Sequence, residues 1–467
     1  MKLYKQNLTH YKLFSGEMAE LIPLQCTEVI PGQILQGQTS VVLRFSPMAA
    51  PVMHPVSVRV HHFFVPHRIV WTGWEDFITG GEDGTDASTI PTITATGTLL
   101  EDYLGVLNSG SDYSALPVYG YNAIYNEWYR DQQIITAVAN TTNAVQKVAW
   151  EKDYFTTARP SKELGPEATV PIKGIGRTSQ GYSTGPVLHY ESNGESRNYD
   201  FYGASLQAEG TAASGGYPNV HATISDIREA AAIQRIKEAR NMYGARYDEF
   251  LRWQGVNPRD GRLARPELVA AGKTNVNFSE VLQTGPEATT PHSTSNAFGV
   301  GDMYGHGIAA LRSNRFRKYC EEHGYLFTML SVRPRTMYTQ GWQRHFLKRV
   351  RNDFFQKELV DIGPQEVWNG EIYADGVDDY GTFGYQDRFA EHRFVPSNIS
   401  SDFRSTFNYW HLARIFGAVP TLNASFIEAD PSKRIFNVQT DDGMYVMAYN
   451  KLKSLSPVPP PRMSRIL

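Results

Sequence analysis

The chain has 467 residues, a formal net charge of −3 and 41% hydrophobic residues. A chain of this size exceeds the usual limit of one core, so two domains or one domain with large insertions are expected. The near-neutral balance excludes a basic nucleic-acid coat that neutralises phosphates unaided. Only Cys26 and Cys320 are present, far apart, with no Cys-x-x-Cys pair and no Cys/His ligand spacing. This excludes a disulfide scaffold and fits a reducing compartment. The opening MKLYKQNLTHYKLF lacks an apolar core, and no long apolar run follows, so neither a signal peptide nor membrane insertion is expected. The 26 Tyr, 23 Phe and 8 Trp suit either a β-rich core or large contact surfaces.

Residues 20 to 66 read as short strands broken at Pro31-Gly32 and Pro47. Within them Val56, Val58, Val60, His62 and Phe64 alternate with Ser57, Arg59, His61 and Phe63. That period of two places one set on a core face and the other nearer solvent, and Pro66 should end the strand. Trp71 to Ile78 reads as a short helix stopped by Gly80-Gly81. From residue 80 to 225 Gly, Ser, Thr, Asn and Tyr dominate, and Ser161 to Asn219 reads as a surface excursion. Ser225 to Trp253 is the strongest helix, with Asp226 and Glu229 as start signals and Gly255 and Pro258 beyond its end. A second excursion spans Val276 to Gly307. Tyr325 onward, YLFTMLSVRP, reads as a strand, Gln340 to Phe355 as helical, and Arg434 to Gln439 and Met444 to Asn450 as strands. The tail SPVPPPRMSRIL is basic, Pro-rich and extended. Strands at both ends with insertions between them describe an interrupted β-sandwich.

Catalytic motifs find no support. Gly181-Tyr182-Ser183-Thr184-Gly185 matches a nucleophile elbow, but its flanks are polar and Gly-rich. Ala271-Gly272-Lys273-Thr274 resembles the end of a P-loop, yet Glu267 stands where the first glycine belongs. His61 and His62 are adjacent on a strand, face opposite ways and cannot easily share a metal. Asp375, Asp378 and Asp379 sit in an acidic stretch without the spacing of an EF-hand, and a solvated loop is the better reading.

Charge is unevenly placed. Arg312, Arg315, Arg317, Lys318, Arg333, Arg335, Arg344, Lys348, Arg349 and Arg351 crowd one segment against Glu321 and Glu322, with Phe316, Tyr319, Tyr338, Trp342 and Phe346 interleaved. This pattern fits a nucleic-acid face, with arginines on phosphates and rings on bases. It fits equally well a set of internal partners for the acidic stretch that follows. Lys451, Lys453, Arg462 and Arg465 extend the positive charge into the tail. The candidate DNA contacts are Arg333, Arg335, Arg344, Arg349, Lys451, Lys453 and Arg465.

The stretch Arg44 to Phe77, RFSPMAAPVMHPVSVRVHHFFVPHRIVWTGWEDF, resembles the major capsid proteins of the Microviridae, closest to the gokushovirus-like branch. So do Cys26 to Val29 with Pro31-Gly32, Arg262 to Thr284, Glu322 to Tyr325, Tyr338 to Trp342, Gly384 to Arg388, Pro396-Ser397 and Trp410 to Leu412, in that order. The resemblance implies an eight-stranded viral jelly-roll β-sandwich with large loop and helix insertions, mainly β, forming a single capsid domain. The jelly-roll strands are then expected mainly in 20–80 and 325–455, long insertions in 81–320, and the tail in 451–467.

It further implies a structural, non-enzymatic protein of the virion, assembled in the host bacterial cytoplasm. Sixty copies would form a T=1 shell around a circular single-stranded DNA genome. Implied partners are a small basic DNA-binding protein, an internal scaffolding protein, a pilot protein and a host surface receptor. Relatives carry an insertion that rises at the three-fold axes, and the Ser161 to Asn219 excursion is the candidate for it. Tyr182, Tyr190, Tyr199 and Tyr202 are then the host-contact candidates. No cofactor and no metal are implied. The rival reading is a jelly-roll carbohydrate-binding protein or glycosidase, which needs two carboxylates facing across a cleft. A fibre adhesin should show repeats, and none is seen.

Overall fold

The computed structural model describes residues 3–83, 85–166, 168, 176–177, 188–192, 195–199, 206–207, 224–243, 252, 265–282 and 303–459. The chain divides into two compact units, residues 1–160 with 258–467, and residues 161–257.

The first unit is built on two antiparallel sheets. The strands of these two sheets are β1 (Tyr4–Asn7), β2 (His10–Gly16), β3 (Ile22–Val29), β4 (Gln33–Phe45) and β5 (Val56–Pro66), then β6 (Glu267–Asn275), β7 (Asn277–Leu282), β8 (Met303–Arg312), β9 (Phe316–Cys320), β10 (Gly324–Pro334) and β11 (Met444–Ser456). Sheet 1 has the order β1-β11-β4-β8-β7, with β2 beside β11 and β9 beside β4; sheet 2 has the order β6-β5-β10-β3. In β4 and β11 buried and exposed positions alternate strictly, so each covers a core with one face only. Val41, Leu43, Phe45, Val446 and Ala448 of sheet 1 meet Val56, Val58, Val60, Leu330 and Val332 of sheet 2 in one apolar layer. Each of the Val, Leu and Phe side chains contributes about 1.5–3 kcal/mol by leaving water, and Ala448 less.

Polar groups also join the sheets. Inward-facing His62 sits between Thr328 Oγ1 and Ser313 Oγ, each 2.9 Å from a ring nitrogen. Ser313 follows the end of β8, where its amide donates to Thr39 O at 2.8 Å. A Cβ on Gly272 would come within 2.8 Å of Ser313 Cα, so this position of β6 needs glycine. The glycine of the P-loop-like segment therefore serves a close strand approach.

Four sequence expectations change. The odd-numbered side of β5 is not near solvent at its far end. Phe63 and Val65 are buried, with Phe327 and Met329, under the helix Leu116–Ile124. Tyr121 of that helix donates to Leu21 O at 2.9 Å and accepts from the Gln146 amide at 2.8 Å. Gln340 to Phe355 holds only the helical turn Arg344–Leu347 and the 3-10 turn Arg351–Asp353. Buried ion pairs hold this segment, because Arg344 reaches Glu371 and Lys348 reaches Glu391. Arg434 to Gln439 is no strand; its apolar pattern is Ile435 and Phe436 entering the inter-sheet core. The sheets also draw β6 through β9 from the span read as insertion, and β1 and β2 from ahead of residue 20.

The expected short helix is found at Trp74–Thr79, stopped by Gly80 at φ +86°. The expected strand at Met444 continues to Ser456. In the second unit the helix Ile224–Tyr243 corresponds to the expected Ser225 to Trp253 helix, whose remainder lies mostly outside the described residues. Its other described elements are the paired strands Leu188–Ser192 with Glu195–Tyr199 and Gly176–Arg177 with Leu206–Gln207. Among the described residues, no helix is long and apolar enough to cross a membrane.

Candidate nucleic-acid interface

Among the described residues of the first unit, the outer face of sheet 1 is left uncovered, and strand register defines what it presents. Cross-strand partners share a face. Lys453 of β11 lies opposite Gln36 of β4, which lies opposite Arg317 of β9, and Asn7 of β1 completes the row. One row further along, Lys451 pairs with Gln38. Next, Tyr11, Tyr449, Ser40 and Arg312 run across β2, β11, β4 and β8. Tyr445 and Arg44 form another row with Ile308, and Lys5, Leu455, Ile34 and Tyr319 another at the opposite end.

Lys5, Arg44, Arg312, Arg317, Lys451 and Lys453 are all exposed there. None of the described strand positions on this face is a carboxylate. Asp442 stands at its end and accepts from Ser15 Oγ. The Tyr11 and Tyr449 rings lie 4.7 Å apart, and Tyr319 and Tyr445 are also exposed. A sheet face with spaced cations, exposed rings and amides has the chemistry that tracks a phosphate backbone and stacks bases.

The candidate contacts from the sequence divide. Lys451 and Lys453 lie on this face. Arg335 is exposed elsewhere, its backbone tied to Pro55 O and His54. Exposed Arg349 lies 4.2 Å above the Tyr380 ring. Arg344 is buried, 2.6 Å from Glu371, with Trp368 beneath its guanidinium at 4.2 Å. Burial alone would lower its pKa, but Glu371, Tyr154 and Glu391 acting together raise it. Arg333 donates to Ala149 O in a cavity on the far side of sheet 2. Arg465 lies outside the described residues, as do Tyr182 and Tyr202; Tyr190 and Tyr199 fall in the short paired strands of the second unit.

Sequence reading missed Lys5 and Arg44 on this face and counted Arg312 and Arg317 without choosing them. Strict alternation along β4 and β11 was the available signal. In the acidic stretch, Asp375 and Asp379 each accept backbone amides of their own turn, and Asp378 accepts from Asn369 Nδ2 at 3.0 Å. Among the described residues, no group of three or more His, Cys, Asp or Glu side chains could hold a metal ion.

A family described as capsid protein (F protein) matches residues 2–460. The chain belongs to this capsid protein family. It is 32% identical to capsid protein VP1 of Bdellovibrio phage phiMH2K, over 91% of this chain and 87% of that protein. It is 25% identical to capsid protein VP1 of Chlamydia phage 1, over 95% of this chain and 92% of that protein, and 26% identical to that of Spiroplasma virus 4, over 91% and 87%. The family makes the chain a structural protein of the phage virion, which self-associates into a shell and is not an enzyme. The resemblance to the Microviridae therefore holds over nearly the whole chain.

Proposed function

We propose that sixty copies of this capsid protein close a T=1 icosahedral shell around circular single-stranded DNA, with the bare face of sheet 1 turned to the genome. The observation that carries this orientation is that no described strand position is a carboxylate on a face bearing Lys5, Arg44, Arg312, Arg317, Lys451 and Lys453. The opposite side of the sandwich, by contrast, lies largely under other chain segments. The strand order supports an eight-stranded jelly roll. β2, β11, β4 and β8 form one four-strand set, and β3, β10, β5 and β6 the facing one.

Contacts between copies fall in this reading on the exposed apolar run Trp342, Phe346, Val350, Phe354 and Phe355, with Phe394 and Val395 near Trp342. Arg335 and Arg349 remain candidate DNA contacts outside the main face, and Arg465 a candidate in the tail. Arg333 and Arg344 are retained only as the weaker members, because Arg333 faces a cavity on the far side of sheet 2 and Arg344 is buried against Glu371. A small basic protein supplies the remaining cations that a chain of net charge −3 lacks. Scaffolding and pilot proteins complete assembly. The Ser161 to Asn219 excursion, with Tyr182, Tyr190, Tyr199 and Tyr202, meets the host receptor.

Cryo-electron microscopy of particles from co-expressed phage genes tests the reading. The expected result is a closed shell of sixty subunits with the β11 lysines lining its lumen. Sixty-subunit shells with β11 on the outer surface would overturn the orientation. A chain that stays monomeric would overturn the shell.

A further inference from the structure

Beyond the bare face, the opposite side of the sandwich holds a separate feature. Arg59 and His61 of β5, Lys273 of β6 and Arg333 of β10, with residues 128–129 and 149–152, line a cavity of about 510 Å³. Lys273 lies directly opposite Arg59 in the β6–β5 register, and Arg333 lies across the β5–β10 pairing from Ser57. Like charges this close on one sheet face repel.

Among the described lining residues, one carboxylate answers them. Arg59 Nη2 bonds Glu151 Oε1, and Lys273 Nζ lies 3.5 Å from the same oxygen. Among the described residues, Arg333 donates to the neutral Ala149 carbonyl and to no carboxylate. Lys152, also on the wall, already has Asp131 at 3.2 Å. The Nε groups of Arg59 and Arg333 are both buried without a hydrogen-bond partner. Burial, then Arg59, pushes Arg333 down to about 10, as expected for cations crowded without enough counter-charge. Phe63, Trp128, Tyr129 and Trp150 form the aromatic part of the wall.

We propose that this cavity binds a phosphate monoester carried on a ring. The phosphate supplies the missing negative charge to Arg59, Lys273 and Arg333; the two guanidinium groups suit bidentate contacts to its oxygens, and the Lys273 ammonium adds a point charge. The ring lies along the Phe63 and Trp128 side. The volume falls within the range of small-ligand sites. The site is on the other side of the sandwich from the bare face of sheet 1, so it does not depend on where the genome lies.

The ester has two natural sources, a nucleotide and a sugar phosphate of a surface glycan. Titration calorimetry on the soluble full chain, with dAMP, glucose 6-phosphate and inorganic phosphate, tests it. At least one ring-bearing ester is expected to bind more tightly than inorganic phosphate. Lys273→Ala, at a half-exposed position that leaves the core intact, should weaken that binding about tenfold. Glu151→Gln should strengthen it, because a competing carboxylate is gone. Preference for dAMP assigns the nucleotide source, and preference for glucose 6-phosphate the glycan source. No ester binding, or binding indifferent to both substitutions, overturns the proposal.

Discussion

The two sheets of the sandwich share a core but differ on their outer faces. Sheet 1 leaves lysines, arginines and tyrosines bare along β4 and β11. Sheet 2 buries Phe63, Val65, Phe327 and Met329 beneath the helix Leu116–Ile124 and its neighbours. Backbone pairing is of the same kind in both, so outward side chains decide the difference. An apolar outer set must be covered to leave water, whereas a cationic set stays exposed and available to a polyanion. The strands record this in composition. HHFFVP of β5 is nearly continuous in buried residues, while KLKSLS of β11 alternates to its end.

Breaking the covered side should have the largest effect. Phe63→Ala removes a ring that is 1% exposed and meets Trp128 and Tyr129. A loss of about 3–5 kcal/mol is expected in chemical denaturation of the unassembled chain. A loss below about 1 kcal/mol would mean that the cover is not part of the cooperative core.

Acid should sharpen the contrast, because the covered side and the inter-sheet layer hold histidines that resist protonation. Burial, then Arg59 and Arg333, brings His61 down to about 4. Burial, then His61, brings His62 down to about 3. In the unfolded chain both titrate near pH 6.5. Between these values the unfolded state holds more protons, so their contribution is full above about pH 6.5 and fades as pH falls towards 4. The stability lost should be a few kcal/mol, at roughly 1.4 kcal/mol per pH unit for each fully shifted histidine. His62→Gln should flatten the stability profile between pH 7 and 4.5. A mutant profile parallel to the parent's would show that His62 does not carry this dependence.

How far the sequence revealed these features follows from the same contrast. The β5 strand, its stop at Pro66 and the start of β11 were legible because alternation and proline act locally. Coverage of β5 was not, since it depends on Tyr121 and Leu116 arriving from a distant segment. Lys451 and Lys453 were found through composition, but were read as tail because KLKSLS lacks the aromatic and β-branched residues that mark strands. Arg44, Arg312 and Arg317 could not be grouped with them, because register across β4, β8 and β9 makes that grouping. The basic cluster of 312 to 351 divides between exposed positions and internal partners of the acidic stretch. Arg312 and Arg317 stand bare on sheet 1, while Arg344 and Lys348 close on Glu371 and Glu391.

The smallest effect on stability should come from the bare face, and there it separates a binding surface from a merely solvated one. Lys451→Ala with Lys453→Ala removes two exposed side chains that show no ion pair among the described contacts. Folding stability should change by no more than about 0.5 kcal/mol for each. Binding of a labelled single strand should nevertheless weaken, and its log–log dependence on salt should become shallower by roughly 1.4, since each lost phosphate contact removes about 0.7. The same pair of substitutions at Lys433 and Lys147, which lie off this face and bond Glu17 and Asp430, should leave that slope unchanged. Equal slopes for parent and Lys451/Lys453 variant would leave the bare face without a part in holding DNA, whatever its charge.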